Sequence, residues 1–337
     1  MDFTVKKIIA IIIVLLAIAS LCACNEATPP VPESPPFIPE SPPSLPVSGS
    51  PEVTDTAPAA TTDPPASGTP ATPAPAEFRF TMDNMPRIDG STANIPLIGS
   101  VYSVLLGVPR AEADAMVSIS GTDNAYNRLS NGDADLLLVY GPSPDTSTTG
   151  FDMAPIGRDG LVFLVNKLNP VDSLTPDQIV RIYSGEVTNW RAVGGENIAI
   201  RAFQRQYLSG SQTMMDALVM KGTPMADTEK EFVIAEMEGL VSAIASYNNA
   251  KSAIGYNVYY FVTRMVLDPK IKLLKVDGVT PTTESISDGT YPFVADFYVV
   301  IRADEPANSP ARILFDWMQS ADGQSLVASE GYSPITG

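Results

Sequence analysis

Histidine is absent from the 337 residues, and cysteine occurs only twice, as Cys22 and Cys24. The missing histidine removes the commonest general base and the commonest metal ligand. Serine–histidine and cysteine–histidine catalysis are excluded with it. Positive charge is scarce as well, with 21 Lys and Arg against 38 Asp and Glu. From Phe78 onward the chain carries 30 acidic and 19 basic residues, a net charge near −11. So acidic a surface is a poor partner for nucleic acid and lacks the basic patch that anionic lipid attracts. An anionic ligand must therefore be held by local donors rather than by the overall field. A carboxylate pair suffices for a glycosidase, and acids are plentiful here. No motif arranges them so, and we expect no enzyme, no catalytic residue, no cofactor and no metal.

The chain opens with Lys6 and Lys7, followed by an unbroken apolar run from Ile8 to Ala19. That run is short for a membrane span and fits the apolar region of an export signal. It ends in Leu21-Cys22-Ala23-Cys24, which resembles the bacterial lipobox. Cys24 fits the lipidated position. Cys22 does not, because the large Leu21 stands directly before it. The reading is a signal over 1–23, a lipid on Cys24 and a domain held at the outer face of the cytoplasmic membrane, on the cell-wall side of a Gram-positive-type envelope. An uncleaved N-terminal anchor is the alternative, and it leaves the same part of the chain outside. With Cys22 removed and Cys24 acylated, no cysteine remains for a disulfide or a metal.

Residues 24–77 read as a tether. Sixteen of the 31 prolines lie between Pro29 and Pro75, and Asn25 to Glu77 contains no Lys or Arg. Such a segment buries too little apolar surface to offset chain entropy. A polyproline-like spacer of this length reaches at most on the order of 150 Å, enough to clear a cell-wall layer.

From Phe78 on, short apolar runs alternate with helical patterns, the signature of an α/β fold. Strands are expected at Asp135–Tyr140, Leu161–Asn166, Ile198–Phe203, Ala253–Val258, Ile271–Val276 and Phe297–Arg302. The clearest helix is Pro176–Ser184, with Thr175 as N-cap, Gln178 closing a capping box and Gly185 as stop. Another spans Pro310–Gln319 after Ser309, with Ile313, Leu314 and Trp317 on one face. A last one runs from Ser320 to Gly331. Trp190 is assigned to the core.

Three Ser/Thr-rich turns each precede a helical pattern: Asp89-Gly90-Ser91-Thr92, Ser120-Gly121-Thr122 and Ser209-Gly210-Ser211-Gln212. A helix start offers free N–H groups and a partial positive charge, which suits an anion. Singly, each turn is more often an ordinary N-cap than a ligand site. Arg205, four residues before Ser209, adds a guanidinium able to grip an oxyanion.

The segment Arg205-Gln206-Tyr207-Leu208-Ser209-Gly210-Ser211 resembles the arginine-then-Ser-Gly-Thr motif of the phosphate-binding proteins of ABC importers, with Ser211 in place of threonine. Ile156–Asn166, Asn169–Thr175, Ile182–Trp190, Ala253–Tyr256, Gly323–Val327 and Gly331–Pro334 are similar to that family in the same order. The resemblance implies a two-lobed type II periplasmic-binding-protein fold, each lobe a mixed sheet flanked by helices. Lobe I would combine 78–162 and 259–337, lobe II would be 163–258, and two crossing segments would form the hinge. The implied function is capture of phosphate or a related oxyanion for an importer permease, by a monomer. A surface sensor, adhesin or scaffold on the same fold is the alternative. Ligand donors would be Ser91, Thr92, Thr122, Arg205, Ser209, Gly210 and Ser211. Tyr140 stands where the family carries an aspartate that accepts a hydrogen bond from protonated phosphate and repels fully ionised sulfate. A tyrosine hydroxyl accepts a hydrogen bond without repelling charge, which bears on selectivity. Arg158 and Tyr256 are weighed as cleft residues against a hinge-surface and a packed role.

Overall fold

The computed structural model describes residues 78–335. The signal, Cys24 and the Pro-rich tether lie outside the described residues. The fold is mixed α/β. Its strands are β1 (Ile88–Gly90), β2 (Leu136–Tyr140), β3 (Phe151–Asn166), β4 (Ser173–Leu174), β5 (Arg201–Ala202), β6 (Gln204–Arg205), β7 (Val233–Ile234), β8 (Ala253–Val258), β9 (Ile271–Leu273), β10 (Lys275–Val276), β11 (Val294–Arg302) and β12 (Ser333–Pro334). The long strand β3 is shared by two groups of strands. Its first part, Phe151–Gly160, pairs antiparallel with β11, which in turn pairs with β2, and β1 lies parallel beside β2. Its second part, Leu161–Asn166, pairs with β8 and β9, and β5 lies parallel beside β8.

The strands read from buried apolar runs are present. Leu136–Tyr140 and Ala253–Val258 are buried throughout, as expected of strands covered on both faces. Strand β3 begins ten residues before the expected Leu161. Its opening half contains Pro155, Gly157 and Gly160, which read as turn residues. Pro155 is accommodated where the register with β11 slips between Phe297 and Tyr298, a break in the ladder that tolerates a residue without an N–H. Of Ile198–Phe203, only Arg201–Ala202 joins the sheet. Ala199 instead bridges to Asn189.

Residues Ile271–Val276, expected within lobe I, pair with the other group. β9 lies against Leu164–Asn166 of β3, and β10 pairs with β4 at Ser173–Leu174. The chain therefore returns once more to the second group before β11 completes the first.

The helices are α1 (Ile95–Leu106), α2 (Arg110–Met116), α3 (Thr122–Asn131), α4 (Pro176–Tyr183), α5 (Gly210–Met214), α6 (Met237–Ser246), α7 (Thr283–Ser287), α8 (Pro310–Gln319) and α9 (Ala321–Ser329). In α4 both halves of the capping box form: Gln178 N donates to Thr175 Oγ1 at 3.1 Å, and Thr175 N donates to Gln178 Oε1 at 2.9 Å. A cap of this kind contributes about 1 kcal/mol. Gly185 then stops the helix at φ +83°, a backbone angle that favours glycine. In α8 the buried side chains are Ala311, Leu314, Phe315 and Met318, while Ile313 and Trp317 are half-buried. The buried stripe follows i, i+3, i+4, i+7 spacing, one position round from the expected face. Trp190 is buried, and its Nε1 donates to the Ser252 carbonyl at 3.0 Å. Among the described residues no single helix is long and apolar enough to cross a membrane.

Candidate functional site

The two groups of strands face each other across a cleft of about 380 Å³. Its first wall is built on β1 and β2. Their parallel pairing ends β1 at Gly90, and Ser91 N donates to the Leu138 carbonyl at 3.3 Å. The chain then turns through Ser91 and Thr92 into α1. Beside it, Gly121 at φ +89° starts α3 at Thr122. The Ser91 and Thr122 hydroxyls are hydrogen-bonded at 2.9 Å, and Tyr140 N donates to Ser91 Oγ at 3.2 Å.

Asp89 joins these two turns. It is buried, and its Oδ1 accepts from Gly90 N and Ser120 N at 2.7 Å. Its Oδ2 accepts from Ser120 Oγ at 2.8 Å and pairs with Arg128 Nε at 3.1 Å. A buried carboxylate bonded this fully holds the turn geometry, and removing it strands several donors. Asp89→Ala is expected to lower stability by about 3 kcal/mol, read by urea unfolding, and to weaken ligand binding because both turns lose their register. Unchanged urea midpoint and affinity would refute this positioning role.

The second wall is the β6–α5 connection. Ser209 caps α5, with Gln212 N donating to its Oγ at 3.4 Å. The helix expected to follow the Ser209–Gln212 turn starts within it, at Gly210, and widens into a π-turn over Met215–Met220. A Cβ at Gly210 would lie 2.6 Å from Thr122 Oγ1. The two walls meet there, and only glycine permits the approach.

Arg205 stands one layer behind this wall. It is 6% exposed, and its Nε donates to Ser211 Oγ at 3.1 Å. Its Nη1 is buried with no hydrogen-bond partner among the described residues. Burial lowers its pKa to about 10, against the opposing pull of Tyr256 and Glu236. It is still cationic at neutral pH. Its backbone N donates to Tyr256 Oη at 3.0 Å, and Tyr256 Oη in turn donates to Gln212 Oε1. Tyr256 is thus a packed aromatic that fixes Arg205 from behind. A buried, under-paired guanidinium bonded to a hydroxyl that lines the cleft suits an anion there.

Seven of the eight candidate residues line the cleft: Ser91, Thr92, Thr122, Tyr140, Ser209, Gly210 and Ser211. Arg205 reaches it through Ser211. Tyr140 lines the cleft but gives its hydroxyl proton to Asp159 Oδ2 at 2.7 Å. Asp159 also accepts from Gly160 N at 2.7 Å and Tyr260 N at 3.1 Å. Burial pushes this carboxyl up to about 6, against the hydrogen bonds it accepts, that from Tyr140 foremost. Arg158 lies off the cleft, its Nε on Asp296 at 3.1 Å.

Three lining or supporting groups were not singled out in the sequence: Glu236 and Tyr207, which line the cleft, and Asp159 beneath it. Tyr207 was visible as part of the arginine motif. Glu236 carries no local signal, because its position depends on where α6 begins.

A family model described as a PBP superfamily domain matches residues 59–322. The phosphate-binding protein PstS of Bacillus subtilis (strain 168) is 25% identical over 256 residues, covering 74% of this chain and 80% of the relative. That of Borreliella burgdorferi is 22% identical over 258 residues, covering 74% and 89%. Among solved structures, an ABC-type phosphate transport receptor from Vibrio cholerae superposes with a TM-score of 0.56 at 22% identity, covering 74% of this chain and 99% of that one. A putative phosphate ABC transporter substrate-binding protein with bound phosphate, from Clostridium perfringens, gives 0.56 at 21% identity with the same coverage.

Proposed function

The chain belongs to the PBP superfamily, and on that footing we propose that it captures phosphate in the cleft for delivery to an ABC importer. The observation that carries this reading is the convergence of hydroxyl and N–H donors from two walls on one cleft, with the under-paired Arg205 behind Ser211. Phosphate-binding relatives at 22–25% identity support the choice of anion. The site binds rather than reacts: it offers donors and no activated nucleophile.

Ser91, Thr92 and Thr122 donate from lobe I, and Ser209, Gly210 and Ser211 from lobe II, with Arg205 supplying charge. Donors on both lobes bind the closed form better than the open one, and that difference drives closure. Lobe I comprises 78–162 and 259–337 apart from the 271–276 excursion, which goes with 163–258 in lobe II. The hydroxyl of Tyr140 is engaged by Asp159, which leaves Glu236, a cleft-lining carboxylate, to accept a hydrogen bond from protonated phosphate. Sulfate, fully ionised, has no proton to give it and is repelled. We further propose lipid anchoring through Cys24, action as a monomer and a permease partner in the membrane below.

Calorimetric titration of the protein, stripped of ligand, tests this. Phosphate is expected to bind tightly and sulfate at least tenfold more weakly, with Glu236→Gln narrowing the gap. Silence with both anions would refute phosphate capture and favour a non-transport surface role.

A further inference from the structure

At the mouth of the cleft, one side chain from each wall meets the other. Tyr207 is 60% exposed, yet its hydroxyl donates to the carboxylate of Asp145. Tyr207 belongs to the β6–α5 connection that lines the cleft. Asp145 belongs to the loop between β2 and β3, on the opposite wall. Two features give the contact a fixed geometry. Leu208, next to Tyr207, sits at φ +68°, a strained angle for a residue with a side chain. The Asp145 loop is pinned to the wall below it by buried Asp123, whose Oδ1 accepts from Ser143 N at 3.0 Å, Ser143 Oγ at 2.6 Å and Thr146 Oγ1. Asp123 directly follows the donor Thr122. The bridge therefore joins the two segments that carry the site, yet neither of its ends enters the ligand's donor set.

We infer that Tyr207 and Asp145 form a latch across the cleft mouth that governs how long a captured oxyanion is retained. Ligand contacts favour closure; the latch adds a contact made only in the closed form, so its loss falls on release rather than on entry. A tyrosine is well suited to this place. Its rigid body spans the mouth at low entropic cost, and its hydroxyl pairs with a carboxylate. An exposed hydrogen bond to a charged group corresponds to a roughly five- to tenfold change in rate.

The inference rests on the capture reading for its ligand, so the test has two arms. In the first, phosphate-loaded full-length protein is mixed rapidly with a fluorescent phosphate scavenger. Tyr207→Phe and Asp145→Asn are each expected to speed release about five- to tenfold, with association unchanged and the double variant no faster than either single one. Release at the parental rate, or additive effects in the double variant, would overturn the latch. In the second arm, amide hydrogen exchange over residues 141–150 and 206–211 is followed both with and without phosphate, because the latch acts on whatever fraction of the protein is closed. Faster exchange in both segments of Tyr207→Phe supports the latch, and exchange unchanged from the parent overturns it. Parental protein that takes up no phosphate, yet changes exchange in Tyr207→Phe, overturns the choice of ligand and keeps the latch.

Discussion

Replacing Arg205 by methionine is expected to weaken phosphate binding by more than a hundredfold while leaving the unliganded protein at least as stable as before. The two effects share one cause. The guanidinium is 6% exposed, makes one side-chain hydrogen bond, to Ser211, and leaves Nη1 without a partner. A buried charge that is under-paired costs stability in the free protein, which is also why burial pulls its pKa down to about 10. Methionine keeps much of the volume and removes the charge, so the fold loses one hydrogen bond and is relieved of a desolvated cation. An anion held as proposed would, by contrast, lose the guanidinium that stands behind Ser211. Removing one member of a buried charge pair costs on the order of 3 kcal/mol or more, which is a factor above a hundred in affinity. Titration calorimetry and thermal unfolding on the same variant check both halves. Unaltered affinity would remove Arg205 from the site. Lost affinity with a collapsed midpoint would make Arg205 a structural residue instead.

Gly210→Ala is expected to cost at least tenfold in affinity, through closure alone. The added Cβ would lie 2.6 Å from Thr122 Oγ1, closer than such atoms approach. Thr122 has little room to yield, since it is buried and its hydroxyl is bonded to Ser91. Gly210 is the first residue of α5, where alanine is the better helix former, so the wall carrying it is not weakened. The wedge acts only where the walls meet. A second change separates this from a lost donor: combining Gly210→Ala with Thr122→Ala removes the obstacle, and the pair should bind better than the sum of the single losses implies. Strictly additive losses would refute the wedge.

The Ser/Thr turns were legible because their chemistry is local. A serine or threonine before a helical pattern marks a helix start whatever the rest of the chain does, and Ser91, Thr122 and Ser209 all stand at such starts, though only Ser209 caps its helix with its side chain. Strands buried on both faces were legible for a similar reason: Leu136–Tyr140 has no polar residue to spoil the run. What could not be read depends on partners far along the chain. The opening half of β3 holds proline and glycines, and only pairing with β11, some 140 residues later, makes it a strand. The hydroxyl of Tyr140 was expected to face a ligand. Its actual partner, Asp159, is placed by that same long strand. Glu236 and Asp145 reach the cleft by loops whose lengths carry no periodic signal.

The position of β11 has one more consequence, for how the protein acquires its shape. β11 lies between β2 and β3, yet it is made after both. During synthesis the slot between them must stay open until residue 302 has emerged, and the apolar edge of Leu136–Tyr140 waits unpaired. Contacts between segments so far apart form slowly, and open strand edges invite association with other chains. The group of strands that begins with β1 is thus the last to be completed. The cleft comes into being only after β11 has been made, so a product ending before it would bear the β6–α5 wall with no completed wall opposite.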